Sequence, residues 1–411
     1  MTDCRASFHQ LRRRERLAVA RVRERLASAR GSAGVQVEQA LLPTTRMASA
    51  GNRVAELAAI GESHLRRGKV AVVMVAGGMS TRLGTGGLRG EVPIGPVTRR
   101  TIFELHVRNI SAVMRRYQMR TPALVFTSAP VHERVVASLR RVEAAPELAF
   151  VCAPGYPVLT LDSSAVVKPD TGELLVAGGG HGELPYVLVE HPTYSRLRYD
   201  GVEHLFYFQY ANVLEPVCDP VFVGFHVERA LEMSLKAIQD YSPDEPMGRL
   251  AEVDGRLVPV PHHLRDGSPF WSRPYPANTG AILLSMDLVE RLAGQSDLPW
   301  YEVPHHLSSD SAPLVKAERS ILDALAFTDR AGIFLVQREE YAPVKATTGR
   351  YSVTSGATAL SEMYRGWLLA AGAVITDNGC IEIDPLFALD ANEFRGRIRR
   401  GTRIHGGSVF R

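Results

Sequence analysis

Residues 69–78 read KVAVVMVAGG, an unbroken apolar and β-branched run that stops on two glycines. The run shows no polar–apolar alternation, so a strand built from it must be covered on both faces, as strands of parallel sheets are. A loop at the carboxyl end of a first parallel strand is where doubly wound sheets hold ligands, and glycines there bare the backbone for close approach. The following residues, MSTRLG, add a hydroxyl at Thr81 and, at Arg82, a guanidinium able to fork two donors onto a phosphate. Neither G-x-G-x-x-G leading into a helix nor G-K-S/T is present, so this is neither a dinucleotide fingerprint nor a P-loop. Position and chemistry predict a nucleotide held in some other way.

The segments around this strand support a parallel sheet. TIFELHVRNISAVMRRYQM reads as a helix, PALVFTSAP as a strand and VHERVVASLRRVEA as a second helix, joined by short Gly- or Pro-containing turns. Further strands are predicted at 204–214, 221–227, 256–260, 280–284 and 333–337, and a helix at 357–371. The last residues, AVITDNGCIEIDPLFALDANEFRGRIRRGTRIHGGSVFR, read as short strands separated by Gly and Asn, a pattern that fits a few coils of a β-helix. The first 67 residues read as helical, broken near GSAG at 31–34 and LPTT at 42–45. The spacing thus divides the chain into an N-terminal helical extension (1–67), an α/β domain that binds the ligand (68–350) and a C-terminal helix with a β-helix-like segment (351–411).

A chain of 411 residues has ample core for an enzyme, and its 45% hydrophobic and 22% charged residues are ordinary for a globular protein. No uncharged apolar run is long enough for a membrane span, and the N-terminus lacks the apolar stretch of a signal peptide, so a cytoplasmic protein is expected. Cys4, Cys152, Cys218 and Cys380 are scattered without a CxxC pair, which suits reduced thiols better than zinc or disulfides. The net charge of +4 owes much to Arg12, Arg13, Arg14, Arg16, Arg21, Arg23 and Arg25. Leu11, Leu17, Val22 and Leu26 recur between these arginines at near-helical spacing, and no aromatic interleaves with them. The solvated face of an amphipathic helix accounts for the cluster better than a nucleic-acid surface does.

VAGGMSTRLGTGGLRG, at 75–90, resembles the LAGGxGTRLG…PKG signature of the eukaryotic-type UDP-sugar pyrophosphorylases, uridylyltransferases that act on glucose 1-phosphate or N-acetylglucosamine 1-phosphate. The resemblance continues, in the family's order, through GGGHGELPYVL (178–188), NVLEPVCDPVFVGF (212–225), MGRLAEVDGRLVPV (247–260), PANTGAILLS (276–285), EEYAPVKATTG (339–349) and IEIDPLFALD (381–390). It implies a Rossmann-like mixed-sheet nucleotidyltransferase core of GT-A-like type with a short C-terminal β-helix-like domain. The reaction implied is attack of a sugar phosphate oxygen on the α-phosphorus of a nucleoside triphosphate, releasing pyrophosphate, with Mg²⁺ as cofactor. Such a reaction needs positioned cations rather than a protein nucleophile.

Carried over residue by residue, the resemblance puts Ala76, Gly77, Gly78, Gly180 and His181 at the nucleotide. Arg82, Lys345 and Arg89 fall at the phosphates, and Asn278 and Asn212 near the sugar phosphate. As residues alone, His181 also reads as a solvated loop residue and Asn278 as a turn residue. Lys345 also reads as an ordinary exposed lysine, although the flanking Tyr341, Pro343 and Val344 favour a cleft.

The departures bear on specificity. Arg89 replaces the family lysine, keeping charge but changing geometry. Ala153 stands where the family glutamine reads uracil, with Pro157 aligned. Ala211 stands where an aspartate helps hold the metal, leaving Asp219 as a candidate ligand, and Pro261 falls near an acid of the sugar pocket. These changes suggest a specialised relative, one that uses GTP or takes an unusual acceptor such as a cyclitol phosphate in secondary, antibiotic-type metabolism. A non-catalytic nucleotide-sugar-binding module is the alternative, because Ala211 and Arg89 both alter the phosphate site. A dinucleotide-dependent oxidoreductase is disfavoured by the missing fingerprint and ribose-binding acid.

Overall fold

The computed structural model describes residues 5–6, 13–27, 39–77, 87–168, 170–262, 265, 268–295, 297–305 and 313–411. In chain order the main elements are α1 (Arg13–Ala27), β1 (Met47–Ala48), α2 (Val54–Arg66), β2 (Val70–Val75), α3 (Ile102–Tyr117), β3 (Ala123–Ser128), α4 (His132–Leu139), β4 (Leu148–Ala153), β5 (His204–Gln209), α5 (Pro220–Glu228), β6 (Met233–Ile238), the hairpin β7 (Arg249–Val253) and β8 (Arg256–Val260), β9 (Ala277–Ser285), β10 (Ala331–Leu335) and α6 (Val353–Ala370).

The central sheet has the order β1-β10-β6-β9-β5-β2-β3-β4, with the hairpin joined through β7 to β9. It is mixed: β9 runs antiparallel to both neighbours, β6 and β5, and the other pairs along the order are parallel. β2 lies between β5 and β3, and its first five side chains are buried, which its continuous apolar sequence required. Helix α3 begins with a capping box: Thr101 Oγ1 accepts from the Glu104 N–H at 3.2 Å, and the Thr101 N–H donates to the Glu104 carboxylate at 2.7 Å.

Residues 220–228 form a helix, not the strand expected at 221–227. Asp219 caps it by accepting the Val221 N–H at 3.0 Å, and Pro220 occupies its first turn. It crosses α2 so closely that a β-carbon on Gly224 would lie 1.9 Å from the Leu57 carbonyl oxygen, and one on Gly61 1.9 Å from that of Pro220. A helix wedged between a sheet and a second helix needs no polar face, which is why its sequence lacks the helical period.

The carboxyl-terminal segment pairs in parallel, Val374–Ile375 with Arg403–Ile404 and Glu382–Ile383 with Val409–Phe410, as successive β-helix coils do. Two buried carboxylates hold it to the main body. Glu382 accepts the N–H groups of Val97 and Thr98 at 2.9 and 2.7 Å, and Asp384 pairs with Arg100 at 2.8 Å and with Arg108. A smaller antiparallel sheet gathers Arg5–Ala6, Ala165–Val166, Leu159–Thr160, Leu314–Arg319 and Trp300–His305, with α1 packed on it through Val19 and Val22. Among the described residues no helix is long and apolar enough to cross a membrane.

A histidine pair lies under α2 and α5. His226 Nδ1 meets Ser234 Oγ at 2.8 Å and its Nε2 meets His204 Nδ1 at 3.2 Å. Burial pushes His204 and the core residue His106 down to about 4, and His226 well below its ordinary value. The unfolded chain therefore takes up protons at these sites before the folded one, so stability is complete above about pH 6.5 and falls as pH drops toward 4, by up to about 3 kcal/mol for a fully shifted histidine. Glu215, which burial pushes up to about 7 despite the nearby Lys236, works in the opposite sense but is outnumbered. Denaturant unfolding at pH 7.5 and 5 should show the loss, with a shallower slope for His106→Gln; equal stability at both pH values would contradict it.

Candidate functional site

Reading across the sheet, the carboxyl ends of β4, β3, β2 and β5 and the amino-terminal end of β9 form one continuous row. Ala153 pairs with Ser128, the Ala76 N–H donates to the Phe126 carbonyl at 2.8 Å, and Val75 pairs with Gln209. A β-carbon on Gly77 would lie 3.6 Å from Ser128 Oγ, and one on Gly280 would lie 3.3 Å from the Gln209 side chain. Four strand spacings separate the ends of this row, roughly 19 Å, enough for a nucleoside diphosphate joined to a sugar.

At one end of the row, beside the buried Ala153, Ser128 faces a glycine loop. A β-carbon on Gly178 would come within 2.8 Å of Ser128 Oγ, while Gly180 (φ +85°) lies so close to the Arg319 carbonyl that a β-carbon would meet it at 2.3 Å. Only glycine fits there. His181 turns inward: its Nδ1 accepts the Ile321 N–H at 3.1 Å, and burial lowers its pKa.

The end of β5 is met by a lysine. The Val344 N–H donates to the Ala211 carbonyl at 2.8 Å, which puts Lys345 beside the end of β5. Lys345 Nζ sits 3.4 Å from Tyr341 Oη and 5.7 Å from the centre of the Tyr351 ring. Tyr351 is itself held by Glu245, which accepts its hydroxyl at 2.7 Å and pairs with Arg338 at 2.8 Å. Burial pushes the phenol of Tyr210, the first residue after β5, up to about 12, and the charge of Arg89 pulls the other way. His106 Nε2 lies 2.9 Å from the Tyr210 carbonyl and fixes this turn from α3. Gly78, Thr81 and Arg82 lie outside the described residues.

Like His181, two further expected residues are occupied internally. Asn212 is buried; its Nδ2 donates to Glu215 at 3.1 Å and to the Glu340 carbonyl at 2.9 Å, and its Oδ1 accepts the Ala342 N–H at 2.9 Å. It fastens the turn after β5 to the segment that carries Lys345. Asp219 gives one oxygen to its helix cap and the other to Lys236 Nζ at 2.8 Å. Lys236 is buried; desolvation opposes its charge, but Asp219, Glu215 and Glu340 hold the ammonium protonated. Asp219 therefore does not fit a metal ligand, and no other group of candidate ligands gathers among the described residues. Asn278 stands at the start of β9, at the other end of the row, where its Oδ1 accepts the Gly280 N–H at 3.1 Å.

Gln209, Ser128, Tyr351 and Glu245 were not anticipated. Strand ends give a signal for the first two, since a polar residue closing an apolar strand faces the crevice. The other two depend on contacts about a hundred residues apart in sequence, which no local pattern carries.

An open mixed sheet with glycines and a lysine gathered at its strand ends is the architecture of a nucleotidyltransferase-type enzyme. The chain belongs to the UTP–glucose-1-phosphate uridylyltransferase family, whose model matches residues 22–404. It is 22% identical to the UDP-N-acetylglucosamine pyrophosphorylase of Saccharomyces cerevisiae over 91% of this chain and 86% of that one. Identity to the human UDP-N-acetylhexosamine pyrophosphorylase-like protein 1 is 26%, covering 75% and 67%. The fold is similar to that of the Trypanosoma brucei uridine diphosphate N-acetylglucosamine pyrophosphorylase solved with an inhibitor, with a TM-score of 0.76, 19% identity and 95% and 91% of the two chains covered.

Proposed function

We propose that this protein joins a nucleoside triphosphate to a sugar 1-phosphate, with the base at the glycine loop, the phosphates at the end of β5 and the sugar toward Asn278. The observation that supports this most is the position of Lys345, which the Val344–Ala211 hydrogen bond sets beside the end of β5 and whose ammonium lies between Tyr341 and Tyr351. Attack of the acceptor phosphate oxygen on the α-phosphorus breaks the bond to the β-phosphate, and charge gathers on the departing pyrophosphate. Cations fixed beforehand stabilise that charge without reorganising during the reaction. Arg82, on the loop after β2, is assigned to the same phosphates. Mg²⁺ is expected to arrive on the triphosphate, held by its oxygens and by water rather than by a protein cage. The described cysteines, Cys152, Cys218 and Cys380, are free thiols, which suits the cytoplasmic setting we assign.

UTP is the donor that the family implies. Ala153, buried at the end of β4, offers only a methyl group where a side-chain amide would read uracil. Loss of one buried hydrogen-bond partner costs about 1–3 kcal/mol, enough to weaken the preference for UTP and admit a purine read by backbone groups. GTP is the proposed competitor, and a cyclitol phosphate is a proposed acceptor alongside N-acetylhexosamine 1-phosphates. Pyrophosphate release should be measured with each common triphosphate against a panel of these acceptors. We expect kcat/KM for UTP and GTP to lie within about 100-fold of each other. A UTP preference of several orders of magnitude would show that another group reads uracil.

A further inference from the structure

The arginine-bearing helix α1 has no part in the chemistry above, yet one of its side chains reaches the back of the glycine loop. Arg319 closes the strand beneath that loop. Its N–H donates to the Gly179 carbonyl at 2.8 Å, and its backbone fills the space beside Gly180 and Gly182. Its guanidinium pairs with Glu183 at 3.2 Å and lies 4.0 Å from the centre of the Trp300 ring. Tyr156 donates its hydroxyl to Glu183 at 2.7 Å, and its ring occupies the space a β-carbon on Gly179 would need, at 2.3 Å. Arg25 of α1 covers both aromatics, 4.5 Å from the Tyr156 ring centre and 4.3 Å from that of Trp300. Burial pushes the Glu183 carboxyl up, and the Tyr156 hydroxyl and the charges of Arg319 and Arg25 pull it back.

We propose that Arg25 is a positioning residue for the nucleotide: by clamping Tyr156 and Trp300 it fixes the Gly178–Gly182 loop, making α1 the back wall of the base site. This rests on the reading of that loop as the base-binding element. Without Arg25 the Tyr156 ring loses its cover and Glu183 loses one of its two neighbouring cations, so the loop samples more conformations and binds the base less well. The γ-phosphate and acceptor contacts lie at the far side of β2 and are unaffected.

The test compares Arg25→Ala, Arg25→Lys and Arg23→Ala. Arg23 is on the same helix but holds the Ser163 carbonyl, at 2.9 and 2.6 Å, away from the loop. Arg25→Ala should raise KM for the triphosphate about tenfold and weaken calorimetric binding of UTP equally, with kcat within about twofold of wild type. Arg25→Lys, which keeps charge but not the flat stack, should fall between, and Arg23→Ala should match wild type. Unchanged UTP binding by Arg25→Ala, or an equal loss in Arg23→Ala, would overturn the assignment. If wild type binds no nucleoside triphosphate, the functional reading fails and this inference with it.

Discussion

Replacing Lys345 with alanine is expected to lower kcat/KM by about 30- to 1000-fold, because one preorganised charge contact to a transition state is worth about 2–4 kcal/mol. The ammonium is held between Tyr341 and Tyr351, and Glu245 locks Tyr351 in turn, so its position is set before substrate arrives. The neighbouring Val344 is buried, while Lys345 is only partly so. Thermal unfolding of the variant should therefore stay close to wild type while turnover collapses. A variant that folds and turns over normally would mean that the triphosphate lies elsewhere. Arg82→Ala is expected to behave in the same way.

The largest effect on stability is expected at the crossing of α2 and α5. In Gly224→Ala the new methyl would sit 1.9 Å from the Leu57 carbonyl oxygen and 2.6 Å from its carbon, and both are backbone atoms. No rotamer relieves such a contact, so the helices must separate, at a cost of about 3 kcal/mol or more. Because α5 is capped by Asp219, the partner of Lys236, the damage extends to the turn after β5. Gly366→Ala is the matched control: it lies in α6, is exposed, and has nothing within 4 Å of the added carbon. It should be neutral or stabilising by about 0.5–1 kcal/mol. Urea unfolding of both variants decides the matter, and a Gly224→Ala protein as stable as wild type would contradict the packing described for this crossing.

The parts of the fold that could be read in the sequence are those whose signal is local. β2 was legible because burial on both faces leaves a continuous apolar run, and the tail because Gly and Asn punctuate its short strands. α5 was misread because a helix apolar all round has no helical period. β6 was missed because Lys236 interrupts its apolar run, and only the surrounding carboxylates explain how a lysine is tolerated there. The same limit applies to the site. Asn212 and Asp219 look like ligand-binding residues in a single sequence because the groups that occupy them, Glu340, Ala342 and Lys236, are recruited from elsewhere in the chain. Glycines were the most informative residues: at 178–180 their missing side chains make room for Ser128, Tyr156 and the Arg319 backbone.

The central claim is nucleotidyl transfer at the strand-end row, and the fate of isotopic label tests it most directly. UTP labelled in the α-phosphate is incubated with N-acetylglucosamine 1-phosphate, Mg²⁺ and the protein, in parallel with UTP labelled in the γ-phosphate. The products are then separated. Nucleotidyl transfer predicts α-label in a nucleoside diphosphate-sugar and γ-label in pyrophosphate, with both appearing about 30- to 1000-fold more slowly in Lys345→Ala. If γ-label enters the sugar, or if neither label leaves the triphosphate with any donor and acceptor pair that the protein binds, the account is contradicted.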